Sequence, residues 1–189
     1  MTDHLYLARH GESMLNAAGL LRGRLDSPLT LKGRAQALSL ANALANCDIQ
    51  VILASPLQRA FDTAQAVATK TDVQVEVDSR FIDRDYGDWA GRSLAEVEEL
   101  WGSIDDAPGV EPRVAVLQRA SVALLDVFDR LDGRSGLVVS HDAILRPLLV
   151  WLAPELEERT LTQDTGCYNV FERTSHSWRL INTNIVPPV

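Results

Sequence analysis

Short apolar runs alternate with amphipathic stretches along the chain. Leu5-Tyr6-Leu7-Ala8 opens the series as a short buried strand. A loop from 11 to 28 follows. Leu31, Ala35, Leu38, Ala41 and Ala45 then recur at helical spacing, which predicts a helix over 30–46 with Thr30 as its N-cap. Val51-Ile52-Leu53-Ala54 reads as the second strand. Ser55-Pro56 comes straight after it, a capping hydroxyl followed by proline at the first helical position, and opens a helix to about residue 70. Residues 73–77 alternate apolar and polar like a half-buried strand. Residues 83–91 form a loop rich in aromatics and glycine. Ser93 and Glu96 fit a capping box for a short helix ending near Trp101, and 102–111 is a flexible connection. A long helix over 112–131, a strand over 136–140, a helix over 143–152 and a closing pair of strands at 167–172 and 178–182 complete the chain.

This order predicts a single domain over 1–189, a three-layer α/β/α sandwich with a mainly parallel sheet. Right-handed crossovers put the carboxyl ends of the parallel strands on one edge, where ligands bind.

Charge narrows the partners. The chain carries a net charge of −8, which disfavours nucleic acid and anionic lipid as partners. An anionic substrate therefore needs a local cluster of positive charge. Cys47 and Cys167 are far apart and form no CxxC pair, so two reduced thiols are expected. No apolar stretch is long enough to span a membrane, and the first residues lack the pattern of an export signal. Together these features predict a cytoplasmic protein. His4 and His176 have no partners at metal-ligand spacing and read as structural or exposed.

Three motifs sit just beyond predicted strand ends: Arg9-His10-Gly11-Glu12-Ser13, Ser55-Pro56-Leu57-Gln58-Arg59-Ala60 and Ser140-His141-Asp142. The topology brings two arginines and two histidines to one pocket. Guanidinium forks from Arg9 and Arg59 match the charge and shape of a phosphoryl group in transfer. A neutral imidazole is a competent nucleophile toward phosphorus, and His10 is placed for it. Gly11 would let the backbone turn sharply and approach a ligand. His141 would donate to the phosphoryl oxygens. The leaving alkoxide needs a proton, for which Asp83, Asp85, Asp88, Glu12 and Asp142 are candidates. Simpler readings stand beside these. Asp83 could pair with Arg80 or Arg84, Asp142 could cap a helix, and Asn16 could cap a turn. Arg22 and Arg24 could be solvated charges, and Trp89, Trp101, Trp151 and Trp178 are expected to pack.

Arg-His-Gly-Glu-Ser near the N-terminus resembles the signature of the histidine phosphatase superfamily, which is phosphoglycerate mutase-like. Asn16, Gly23 to Thr30, Gly33 with Gln36-Ala37, Ser55 to Ala60 with Thr63-Ala64, Asp85 to Trp89 with Gly91, and Val139-Ser140-His141 follow in the family's order. The resemblance implies a phosphoglycerate mutase-like fold and a metal-independent phosphomonoesterase that needs no cofactor and acts on a small phosphorylated metabolite. It implies His10 as the phosphorylated nucleophile, with Arg9, Arg59 and His141 as the rest of the phosphate pocket and Asn16 as a further donor. Arg22 and Gly23 stand where the family often has Gln-Gly, which suggests a place in substrate binding. The family's acid, usually a glutamate two residues before the Asp-Tyr-Gly segment, is here Asp83, and Ala90 replaces a frequent glutamate before Gly91. Family mutases carry a longer insertion over the site, whereas here only about twenty residues separate Gly91 from Pro112. Release of phosphate to water is therefore expected. A mutase, or a pseudoenzyme that binds phosphorylated ligands, is the alternative. Apolar residues near the C-terminal strands could pair subunits as a homodimer.

Overall fold

Six strands form one sheet in the order β3-β2-β4-β1-β5-β6 in the computed structural model, which describes residues 3–175 and 177–189. The strands are β1 (His4–Arg9), β2 (Ile49–Ala54), β3 (Val75–Val77), β4 (Ser135–Ser140), β5 (Tyr168–Arg173) and β6 (Trp178–Ile185). β3, β2, β4 and β1 run parallel, while β5 and β6 add to the β1 edge antiparallel. The expected sandwich with a mainly parallel sheet is the fold observed. His176 lies outside the described residues.

Strand periodicity explains the two cores. Leu5, Leu7, Leu53 and Val138 face α5 (Arg113–Leu131) and α6 (Asp142–Leu152). Their neighbours Tyr6, Ala8, Ile52, Ala54, Leu137 and Val139 face α2 (Leu31–Leu44) and α3 (Gln58–Thr71). Successive residues point to opposite faces, and both faces are covered, so the strands must be apolar throughout. A third, smaller cluster of Leu21, Val97 and Ala107 packs with Tyr86 and Trp89. It joins the early loop to α4 (Leu94–Trp101) and the stretch after it.

Several local expectations change. The early loop contains a short helix, α1 (Met14–Ala17), capped by Ser13 and closed by Asn16. Ser55 and Pro56 do not start α3. The helix begins at Gln58 with Leu57 as N-cap, whose side chain has no acceptor to offer, while the Ser55 hydroxyl accepts from the Leu57 amide and meets His141. The strand expected over 73–77 is confined to Val75–Val77. Ser93 does cap α4, accepting from the Glu96 amide, but the Glu96 carboxylate turns to Arg92. Both cysteines are free thiols, Cys47 half-buried and Cys167 buried. Among the described residues no helix is long and apolar enough to cross a membrane.

Gly11 has a different reason to be glycine from the one expected. It does not adopt the left-handed region, and a Cβ there would overlap the Gly33 carbonyl at the start of α2. A Cβ on Gly33 would in turn overlap the Glu12 carbonyl. The loop after β1 thus lies backbone to backbone on α2. Gly33→Ala is expected to cost about 2–3 kcal/mol through this overpacking. The measurement is the urea midpoint, which should fall at unchanged slope. An unchanged midpoint would mean that the two segments separate freely.

Candidate active site

Backbone hydrogen bonds lock the three strand tips together. The His10 amide donates to the Ser140 carbonyl at 3.0 Å, and the Ser55 amide donates to the Val139 carbonyl at 3.0 Å. The Gly11 amide donates to Thr63 Oγ1 at 3.1 Å, and Thr63 Oγ1 donates to the Arg59 carbonyl at 2.7 Å. The loop after β1 is thereby tied to the first turns of α3, and the motifs that the sequence placed at one edge do meet.

His10 and His141 face each other with ring centroids 5.1 Å apart, and both are 1% exposed. His10 Nδ1 lies 2.6 Å from the Gly11 carbonyl, which accepts only from a protonated nitrogen. That contact fixes the proton on Nδ1 and leaves the Nε2 lone pair free. Burial, with the neighbouring His141, Arg59 and Arg9, holds the His10 imidazole well below the usual histidine range. The ring is therefore neutral at neutral pH.

His141 Nε2 lies 2.7 Å from Ser55 Oγ. Ser55 Oγ also accepts from the Leu57 amide at 3.3 Å, so the hydroxyl is held in place against the imidazole. His141 Nδ1 is buried with no hydrogen-bond partner and is 3.7 Å from Asp83 Oδ2. Burial first, then Arg59, Arg22, Arg9 and Arg119, lower the basicity of His141.

Arg59 is fully buried. It donates to the carbonyls of Leu25 at 2.9 Å and Gly23 at 2.8 Å, and to Asp83 Oδ2 at 3.0 Å. Arg9 donates to the Gln163 carbonyl and has no carboxylate partner among the described residues. Gln163 is itself held by Asn169, so the guanidinium is anchored by a buried amide pair. Arg22 is half-buried and likewise lacks a carboxylate. Among the described residues its one hydrogen bond is a 3.4 Å donation to the Leu20 carbonyl. The Nε atoms of Arg9, Arg22 and Arg59 are all buried without an acceptor. Unsatisfied buried N–H groups of this kind call for an acceptor. The surplus of N–H donors over lone pairs suits an anion rather than a cation.

The remaining candidates separate clearly. Asp83 is 2% exposed and sits beside Arg59 and His141, with Oδ1 accepting from the Arg84 amide at 2.9 Å. Arg80, the alternative partner, instead pairs with Asp78 and Asp126. Asp142 occupies the first residue of α6 and faces a cavity shared with Arg22, its carboxylate 3.7 Å from Arg146. Glu12 is bound to Lys32 and Thr30, which hold its carboxyl below the usual range. Asp85 is paired with Arg24, and Asp88 is exposed. Asn16 spends its carbonyl on the Ser13 capping box, which fixes the orientation of its amide NH2. Gly23 contributes its carbonyl to Arg59 and adopts a left-handed φ of 49°. Arg24 pairs with Asp85 and Glu111 at the surface. Trp89 packs edge-on against Trp101.

Two roles are not visible in the motifs. Ser55, which reads as a helix cap, orients the His141 ring through Nε2. Arg119 on α5 donates to the carbonyls of Arg80 and Ile82, each at 2.7 Å, and of Asp83 at 3.2 Å, and it forms a two-pronged pair with Glu111. It therefore holds the segment that carries Asp83.

The family model "Histidine phosphatase superfamily (branch 1)" matches residues 5–186. The curated Salmonella choleraesuis protein described as "Probable phosphoglycerate mutase GpmB" is 34% identical over 151 residues, covering 75% of this chain and 70% of the relative. Bacillus stearothermophilus YhfR superposes with a TM-score of 0.87 at 27% identity, over 94% of this chain and 95% of its own. The α-ribazole phosphatase of Shigella flexneri gives 0.85 at 25% identity, over 97% of both chains. The mycobacterial glucosyl-3-phosphoglycerate phosphatase gives 0.83 at 25% identity, over 96% of this chain and 98% of its own.

Proposed function

The chain belongs to the histidine phosphatase superfamily, branch 1, and from that premise we propose that it hydrolyses phosphate monoesters of small metabolites through a phosphohistidine on His10. The observation that carries this reading is the group of buried guanidinium donors without acceptors, Arg9 Nε, Arg22 Nε and Arg59 Nε, together with the unpartnered His141 Nδ1, near an imidazole whose Nε2 lone pair is free. A phosphoryl group supplies the missing acceptors.

In the first step His10 Nε2 attacks phosphorus in line and the ester P–O bond breaks. The arginines and His141 meet the charge on the equatorial oxygens. The alkoxide takes a proton from Asp83, the carboxyl beside the imidazole pair, which gains it when the negative phosphoryl group binds beside it. Water then attacks the phosphohistidine, with Asp83 receiving its proton, and phosphate leaves. Release to water rather than return to a second hydroxyl is favoured by the relatives described as phosphatases and by the short stretch between Gly91 and Pro112. The relative described as a probable mutase favours the alternative, which an assay with a sugar-acid phosphate and its bisphosphate primer decides.

The acid assignment has its own test. Asp83→Asn is expected to lower kcat on alkyl phosphates about 100-fold, in the range of general acid catalysis. With 4-nitrophenyl phosphate, whose leaving group needs no proton, the loss should stay below about tenfold. Asp142→Asn should not discriminate between the two esters. If it does and Asp83→Asn does not, the proton belongs to Asp142.

A further inference from the structure

The segment that carries Asp83 is held in an unusual way. Four successive carbonyls, from Arg80 to Asp83, each accept from a side chain. Those of Arg80 and Ile82 accept from Arg119 at 2.7 Å, and that of Asp83 accepts from Arg119 at 3.2 Å. The Phe81 carbonyl accepts from Ser140 Oγ at 2.8 Å, one residue before His141. The Phe81 ring is fully buried in the core shared with Val116 and Ala120 of α5. Side chains thus do here what a sheet ladder does elsewhere.

Arg119 spends all five of its N–H groups, three on these carbonyls and two on the Glu111 carboxylate at 2.8 and 3.0 Å. In this it differs from Arg9, Arg22 and Arg59, each of which keeps a buried Nε without an acceptor. Arg119 has no donor left for a ligand, so its work lies in the fold around Asp83. Glu111 reaches the same segment from beyond Asp83. Its Oε2 accepts from the Asp85 amide at 3.0 Å, and its own amide donates to the Asp85 carbonyl at 2.8 Å. Its carbonyl accepts from Arg84 Nε at 2.7 Å. Residues 80–85 are therefore bracketed by one ion pair.

We propose that Arg119 and Glu111 are a positioning pair for the acid: their bracket sets the backbone of residues 80–85 so that the Asp83 carboxyl meets the leaving oxygen. An aspartate has little reach, because its carboxyl carbon is two bonds from Cα, so its oxygens go where the backbone puts them. Neither member of the pair touches the reacting atoms. The inference rests on the phosphatase reading above, with Asp83 as the acid. The phosphate donors stand on other elements, Arg9 at the end of β1 and Arg59 on α3, so loosening the bracket displaces the acid and spares the grip on phosphate.

The test compares glycerol 2-phosphate, whose alkoxide needs a proton, with 4-nitrophenyl phosphate, whose leaving group does not. Arg119→Met should lower kcat/KM about 30-fold on the first and less than about threefold on the second, since a shift on the order of 1 Å costs proton transfer about 100-fold at most. The inhibition constant of inorganic phosphate should not change. Arg119→Lys keeps the charge opposite Glu111 but cannot serve three carbonyls, so it should show the same selective loss at smaller size. It carries the test if the methionine variant folds poorly. Placed on Asp83→Asn, Arg119→Met should cost glycerol 2-phosphate less than about threefold more, because a residue acting through the acid has nothing further to lose. Equal losses on the two esters, weakened inhibition by phosphate, or a full additional loss on Asp83→Asn overturns this inference alone. If Asp83→Asn does not itself distinguish the esters, the acid assignment falls and this inference with it. Absence of turnover with every ester overturns the phosphatase reading.

Discussion

His10→Ala is expected to lower kcat by at least about four orders of magnitude, the scale seen when a nucleophile acting as part of a unit is removed. No neighbour can take its place. The Cys167 thiol is buried and pushed up to about 12, so it carries no thiolate at neutral pH. His141 has its Nε2 occupied by Ser55. The check is a rapid-quench experiment with a radiolabelled ester, stopped in alkali, where phosphohistidine survives. Wild type should carry acid-labile label and the alanine variant none. Equal turnover in the two proteins would remove His10 from the mechanism.

The pH profile follows from the same burial. His10 must be neutral to attack, and its affinity for protons lies well below that of a free histidine, whose ordinary value is 6.5. The acid limb of kcat/KM should therefore fall below pH 6.5 in this enzyme. Stability carries the same sign. Below pH 6.5 the unfolded chain protonates both imidazoles while the folded chain keeps them neutral, so stability declines as pH falls. His10→Ala should flatten part of that decline.

The convergence of the candidate residues was legible in the sequence where they lie at the ends of strands. Parallel strands share a direction, so Arg9-His10, Ser55 to Arg59 and Ser140-His141 had to emerge at one edge once the alternation of elements was read. What stayed hidden depends on partners distant along the chain. Ser55 looked like a cap because serine before proline at a helix start is common, and nothing local shows that a histidine 86 residues on takes its hydroxyl. Arg119 lies on a long amphipathic helix, where an arginine ordinarily marks a solvated face; the acceptors it holds on the Asp83 segment are carbonyls, which carry no side-chain signature. The role of Gly23 is likewise in its carbonyl. The spacing of Gly11 and Gly33 recorded a close approach of two backbones, for which a ligand was the simpler guess.

Arg59→Met is expected to lower kcat/KM about 1,000-fold, the upper range for losing one preorganised donor to a developing oxyanion. It should also destabilise the fold by about 3–5 kcal/mol, the cost of stranding a buried charge. Both effects follow from one geometry. The guanidinium joins the phosphate pocket to Asp83 and to the carbonyls of Gly23 and Leu25, all of which lose a donor together. Lysine offers a single point charge and cannot replace a fork that serves three acceptors. Adding Asp83→Asn to Arg59→Met separates the two contributions. The neutral amide no longer strands a charge, so the double variant should be more stable than Arg59→Met alone, with a coupling energy of about 1–3 kcal/mol. The Gly23 and Leu25 carbonyls remain unpaired, so recovery of stability stays incomplete. Activity should not return at all, because neither the oxyanion donor nor the acid is restored. Chemical denaturation and kinetics on the three variants measure both sides of the cycle. A double variant no more stable than Arg59→Met would show that the Asp83 charge is compensated elsewhere. An Arg59→Met protein retaining a tenth of wild-type kcat/KM would show that the guanidinium supports the loop without meeting the phosphoryl group.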